Sequence, residues 1–137
     1  MRKYLWNIMV RIYPTWLRWI YKMDLAPTVI ISWKAKLDKS INPRGVHIGD
    51  YTWVLSGATI LAHDHCRRLK TDTYIGERCI IGINSIIMPG VRIGDSCVVG
   101  GDCIVTKDLP DHCMVVGNPA RIIKERVEVN EYGQLVN

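Results

Sequence analysis

No run of apolar residues among the 137 of this chain is long enough to cross a bilayer as a helix, and its five cysteines include no Cys-x-x-Cys pair. The first absence argues against a spanning segment, and the second removes the usual mark of a zinc ribbon or a redox dithiol. Acidic residues are missing before Asp24, and there Arg2, Lys3, Arg11, Arg18 and Lys22 supply the whole formal excess of +5. Beyond them thirteen basic residues meet thirteen acidic ones, so the bulk of the chain offers no basic stripe for nucleic acid. A length of 137 residues is expected to make one folded unit.

The acid-free start has a pattern of its own. Lys3, Asn7, Arg11, Arg18 and Lys22 recur at helical spacing, while Leu5, Trp6, Ile8, Met9, Ile12, Trp16, Leu17, Trp19 and Ile20 fill the rest. Residues 1–24 are therefore expected to form an amphipathic helical segment ahead of the body at 25–137. Two roles fit it: residues 1–22 lying in a membrane interface, with indoles at headgroup depth and cations near anionic lipid, or a cap over an open sheet edge. Pro14 is expected to bend the helix or split it. Arg11 interrupts the apolar run and no small-residue cleavage site follows, so a signal peptide is not expected.

The body is dominated by a period of six. Ile75, Ile81, Ile87, Ile93, Val99 and Val105 stand at that interval, and Gly76, Gly82, Gly94 and Gly100 directly follow four of them. Four residues after each aliphatic comes Cys79, Ser85, Val91, Cys97 or Cys103, so each hexad offers one large and one small inward side chain. The register extends back through Ile48, Val54 and Ile60, with Thr52 and Ala58 small, and before a break through Leu25, Ile31 and Leu37, with Val29, Ala35 and Ile41 at the second position.

Repeats this short bury their apolar face only by stacking. A helix is excluded because a glycine in each hexad from Ile75 to Ile104 would cost about 1 kcal/mol each, and turns every six residues are too close for antiparallel hairpins. A parallel β-helix remains. Cys79, Cys97 and Cys103 then pack inside it, which fits a reducing compartment, while Cys66 and Cys113 lie outside the register.

An aliphatic, a glycine or small polar residue, two variable residues, a small residue and one more: over residues 25–110 this pattern resembles the hexapeptide-repeat acyltransferases. "IVTKDLP" at 104–110 and "VVGNPARIIK" at 115–124 resemble the domain end of their acetyltransferase branch, which includes sugar and polysaccharide O-acetyltransferases. The resemblance implies an all-β, left-handed parallel β-helix with three hexads per triangular coil, at about 25–42, 48–65, 75–92 and 93–110. Four layers at roughly 4.8 Å give a prism about 20 Å tall, small for independent stability. A homotrimer with active sites between subunits is implied with it.

The array breaks at "HDHCRRLKTDT", 63–73, and an insertion into so regular a stack projects outward, where function tends to sit. Histidine suits the task of accepting a hydroxyl proton near neutral pH. The resemblance places the base seventeen residues after the isoleucine of an Ile-Gly pair, which from Ile48-Gly49 reaches His65, with His63 beside it. Asp38, Asp50, Asp64 and Asp72 are the candidate orienting carboxylates. No serine lies in a nucleophile motif, so acetyl transfer is expected to be direct.

The family also implies acetyl-CoA as cosubstrate and no metal. Its pantetheine groove maps onto Gly82, Ile83, Gly100 and Gly101, and Lys107, Arg121 and Lys124 are candidates for the phosphates. Arg67, Arg68 and Lys70 would meet an acidic sugar or diphosphate of a glycan or lipid-linked acceptor. An amino-sugar N-acetyltransferase is the near rival. More distant are a scaffold without chemistry and a γ-type carbonic anhydrase, for whose zinc His47, His63, His65 and His112 are the available ligands. The expected location is the cytoplasm, at the inner membrane face if the N-terminal segment binds lipid.

Overall fold

The computed structural model describes residues 2–136. Short strands of two to four residues wind into a triangular prism whose three faces are almost wholly parallel sheets. The first face stacks Asp24–Leu25, Val46–Ile48, Thr73–Ile75 and Arg92–Ile93; the second stacks Ile30–Ile31, Trp53–Val54, Ile80–Ile81, Val98–Val99 and Met114–Val116; the third stacks Lys36–Leu37, Thr59–Ile60, Ile86–Ile87 and Ile104–Val105. Equivalent hexad positions sit directly above one another, as in Ile31, Val54, Ile81, Val99 and Val115.

Those ladders fill the interior, with Ile31, Ile60, Ile81, Ile87, Val105 and Val115 wholly buried. The small inward residues Thr52, Ala58, Cys79, Ser85, Cys97 and Cys103 are wholly buried too. The glycines that follow the aliphatics answer to layer spacing: a Cβ on Gly76 would lie 2.8 Å from the Gly94 carbonyl carbon in the next coil. Corners that turn through positive φ use other residues instead, among them Arg78, Asn84, Ser96 and Asp102.

Two residues depart from the expected register. Cys113, expected outside it, is buried above Cys97 with the sulfurs 3.7 Å apart. The corner at 106–108 is two residues short, so the array resumes at Leu109, bridged to Ile93, and runs on to Cys113 and Val115. Ile41, expected inside, is 41% exposed, because the buried Asp38 accepts the Ile41 and Asn42 amides and turns the chain out of the coil.

The N-terminal segment is one helix, α1, Arg2–Ile20, unbroken at Pro14. Thr15 Oγ1 donates back to the Arg11 carbonyl at 3.0 Å within it. Val10, Pro14 and Leu17 are buried against the first coil, and Arg18 donates to the carbonyls of Leu25 and Ala26 at 2.8 and 2.9 Å. At the far end Arg121–Lys124 pairs antiparallel with Met114–Val116, and the tail closes as a hairpin through Val129 and Leu135 around Gly133.

Inward and outward positions two residues apart should respond oppositely to truncation. Ile81→Ala, in the core, is expected to lower the unfolding free energy by about 2–5 kcal/mol, whereas Ile83→Ala, at 53% exposure, changes it by less than about 0.5 kcal/mol. Urea denaturation of the two variants measures the difference.

Candidate active site

Asp38 directly follows Leu37 of the third face, and its side chain is wholly removed from solvent. Oδ1 accepts the amides of Ile41 and Asn42 at 3.4 and 3.3 Å; Oδ2 accepts the Ala62 amide at 2.9 Å and His63 Nδ1 at 2.5 Å. Burial alone would raise this carboxyl's pKa, but the bond from His63, and then those from Ala62 and Asn42, hold it below the usual carboxylate range. It is ionised at neutral pH, so Nδ1 of His63 is the donor in this bond and Nε2 is not engaged by it. The His63 side chain is 20% exposed.

The break in the repeat is a small antiparallel hairpin, His63–Asp64 against Leu69–Lys70. Asp64 forms its turn by accepting the Arg67 amide at 3.1 Å and the Arg67 Nε at 2.5 Å, a side-chain-capped turn of the kind that aspartate favours. That contact holds the Asp64 carboxyl below its usual range. The base of the hairpin is fastened by Asn42, whose amide donates to the carbonyls of Ala62 and Thr71 at 2.9 and 3.0 Å.

A cleft on this edge is lined by Ile41, His63, Asp64, His65, Arg68, Leu69 and Lys70, the Asp64 carboxylate being taken up by Arg67. His65 is exposed in the turn, and among the described residues its ring has no hydrogen bond. The carboxylate thus belongs to His63 and not to His65. Arg68 and Lys70 border the cleft as the sequence suggested, while Arg67 turns away to Asp64. Of the other candidate orienting acids, Asp50 receives Thr28 and Asp72 holds His47.

The residues proposed for the cofactor lie elsewhere. Ile83 and Gly101 share the corner between the second and third faces, with the Asp102 amide on the Ile83 carbonyl at 2.9 Å. His63 lies past the opposite ends of the third-face strands, three residues after Ile60, whereas Ile83 and Gly101 each precede a strand of that face by three. Gly82 is explained by stacking, since its Cβ would meet the Val99 carbonyl oxygen at 2.5 Å; a Cβ on Gly101 meets nothing nearer than 3.4 Å. Gly100 is tight against Val116 Cγ1 at 3.0 Å. Lys107 lies in the corner after Ile104–Val105, and Arg121 and Lys124 are exposed on the antiparallel edge strand.

The histidines are separately engaged: His47 between Asp24 at 2.7 Å and Asp72 at 2.9 Å, and His112 against the Val127 carbonyl at 3.0 Å. Among the described residues no group of three His, Cys, Asp or Glu side chains is placed to hold a metal ion.

Residues 72–107 match the bacterial transferase hexapeptide, a model of six repeats. The chain is 41% identical over 92 residues to YvoF of Bacillus subtilis (strain 168), assigned as an acetyltransferase, a match covering 65% of this chain and 53% of that protein. It is 38% identical over 86 residues to WcaF of Escherichia coli (strain K12), assigned as an acetyltransferase of colanic acid biosynthesis, covering 61% and 47%. The chain spans about half the length of these curated relatives. A maltose O-acetyltransferase from Clostridium difficile 630 has a similar structure, with a TM-score of 0.65 at 25% identity over 84% of this chain and 75% of that one.

The His47 cluster carries a pH prediction. Burial would lower the imidazole's pKa, but hydrogen bonds to Asp24 and Asp72 outweigh it and raise the value above 6.5. A folded-state pKa above the unfolded one stabilises fully below pH 6.5, and the stabilisation is lost as pH rises through the raised value. The urea midpoint is therefore expected to fall as pH is raised above 6.5, and His47→Gln to flatten that part of the profile. An equally sloped profile in the variant would assign the loss to other groups.

Proposed function

We propose that the chain is a hexapeptide-repeat acetyltransferase with a left-handed parallel β-helix, as its six-repeat match and its relatives support, and that it moves an acetyl group from acetyl-CoA to a sugar hydroxyl of a glycan or lipid-linked saccharide. One observation carries the reading: a histidine held at Nδ1 by a buried, ionised aspartate, in the wall of a cleft. His63 is the general base in this reading, and His65 lies in the turn beside it in contact with the acceptor.

The reaction balances without a covalent intermediate. His63 Nε2 takes the acceptor hydroxyl's proton as its oxygen attacks the thioester carbonyl, and the imidazolium is stabilised by the Asp38 carboxylate. Collapse of the tetrahedral adduct breaks the carbon–sulfur bond, and the imidazolium returns the proton to the departing thiolate. WcaF and the maltose enzyme support a saccharide acceptor through their names. Arg68 and Lys70, cationic at the cleft margin, favour an acceptor carrying negative charge.

The acetyl donor is proposed to lie along the Ile83–Gly101 corner, with Lys107, Arg121 and Lys124 near its phosphates. Because that corner and His63 flank opposite ends of the third face, a thioester there meets the His63 of a neighbouring copy more readily than its own. This supports a homotrimer with sites between subunits, a remedy also for so short a prism.

Two outcomes are expected. In a free-thiol assay with acetyl-CoA and a saccharide panel, His63→Ala should lower kcat/KM by about 10²–10⁴ and His65→Ala by less than about tenfold; the reverse order makes His65 the base. Acetyl-CoA at about a hundred times its Kd should add about 2.7 kcal/mol to unfolding stability, a gain lost when Lys107 and Arg121 are both replaced by Ala.

A further inference from the structure

Helix α1 has two apolar faces, and the prism uses only one. Val10, Pro14 and Leu17 point inward and are buried, with Tyr13 and Tyr21 partly so. On the far side Leu5, Ile8, Ile12, Trp16, Trp19 and Ile20 are 55%, 36%, 59%, 43%, 69% and 62% exposed. At 3.6 residues per turn these six occupy an arc of roughly 120°, with Arg2 and Arg11 toward its two margins. Trp33, 50% exposed, extends the patch onto the first coil beside Trp16. So broad a contiguous apolar surface marks an interaction site.

Its charge selects the occupant. No acidic residue lies in α1, and the helix and Lys22 carry the whole net charge of the chain. Two such faces pressed together in a dimer would bring cations against cations with no carboxylate on either helix. An anionic bilayer surface supplies apolar volume for the aliphatics, headgroup depth for Trp16 and Trp19, and phosphates for Arg2 and Arg11. No helix among the described residues is long and apolar enough to cross.

We propose that the outward face of α1 docks this protein in-plane on an anionic lipid surface. The face abuts the proposed active edge: Lys39, next to Asp38 in sequence, has its Nζ 5.7 Å from the Tyr13 ring centroid and 5.8 Å from that of Trp16. Docking thus brings the His63 cleft to the bilayer. The corollary, which rests on the acetyl-transfer reading, is an acceptor whose saccharide is carried on a lipid.

The experiment is flotation of the full chain with vesicles of phosphatidylcholine alone and with a quarter phosphatidylglycerol, alongside sedimentation velocity without lipid. The expected result is flotation with anionic vesicles only, a bound fraction that drops at least tenfold in Trp16→Glu/Trp19→Glu and falls with added salt, and an unchanged sedimenting mass in the variant. Arg11→Glu, at an exposed margin, should weaken flotation while preserving the fold. Failure of the wild-type chain to float, equal flotation on neutral vesicles, or a variant that loses oligomeric mass instead would overturn the proposal. Flotation needs no turnover, so it stands or falls separately from the acetyltransferase assay.

Discussion

Every other feature of the molecule depends on how one coil is hydrogen-bonded to the next. Backbone amides bond along the prism axis to the coil above, as in Trp53 to Cys79 and Ile80 to Cys97, both near 3.0 Å. A strand separation of about 4.8 Å restricts what can follow the inward aliphatic. Where backbones meet closely, as at Gly76 under Gly94 and Gly82 under Gly100, it demands glycine, and it stacks like side chains in rows within. The sequence repeats an inward aliphatic twelve times between Leu25 and Val105, with an uncharged residue after eleven of them, and a departure from that pattern stands out.

The Asp38–His63 pair is such a violation, and it shows how a rigid scaffold positions chemistry. Asp38 occupies the place held by glycine, serine or another uncharged residue after every other inward aliphatic from Leu25 to Val105. Burying a lone carboxylate would be costly, but four donors meet it and two of them are backbone amides of its own turn. The same acid expels the chain from the coil at Ile41 and fixes the orientation of His63, so one substitution in the repeat makes both the wall and the centre of the cleft.

The period of six made most of the interior legible, including Cys79, Cys97 and Cys103. It failed where corners change length. Leu109 and Cys113 keep the four-residue offset of aliphatic and small residue but begin two residues early, a signal that was present in the spacing. Seventeen residues from Ile48 reach His65, whereas the excursion starts just after Ile60, with Ala62 already buried, and it is His63 that meets Asp38. The charge of Asp38 at an inward-following position was readable, whereas its pairing depended on the hairpin's path. The continuity of α1 through Pro14 was hidden because the packing of Val10 and Leu17 on the first coil supports a helix that local preference alone would interrupt.

The two ends of the stack are closed by unlike devices, α1 beneath the first coil and the reversed strand Arg121–Lys124 above the last. A parallel solenoid with bare ends is a template on which a second copy could continue the same ladders, and then a third, as a growing fibre. Reversing direction at Arg121 presents the wrong hydrogen-bond phase to any incoming parallel coil, so elongation stops at a fixed height. New layers can enter this architecture only between its two closures, which makes the number of coils a heritable length that polymerisation cannot alter.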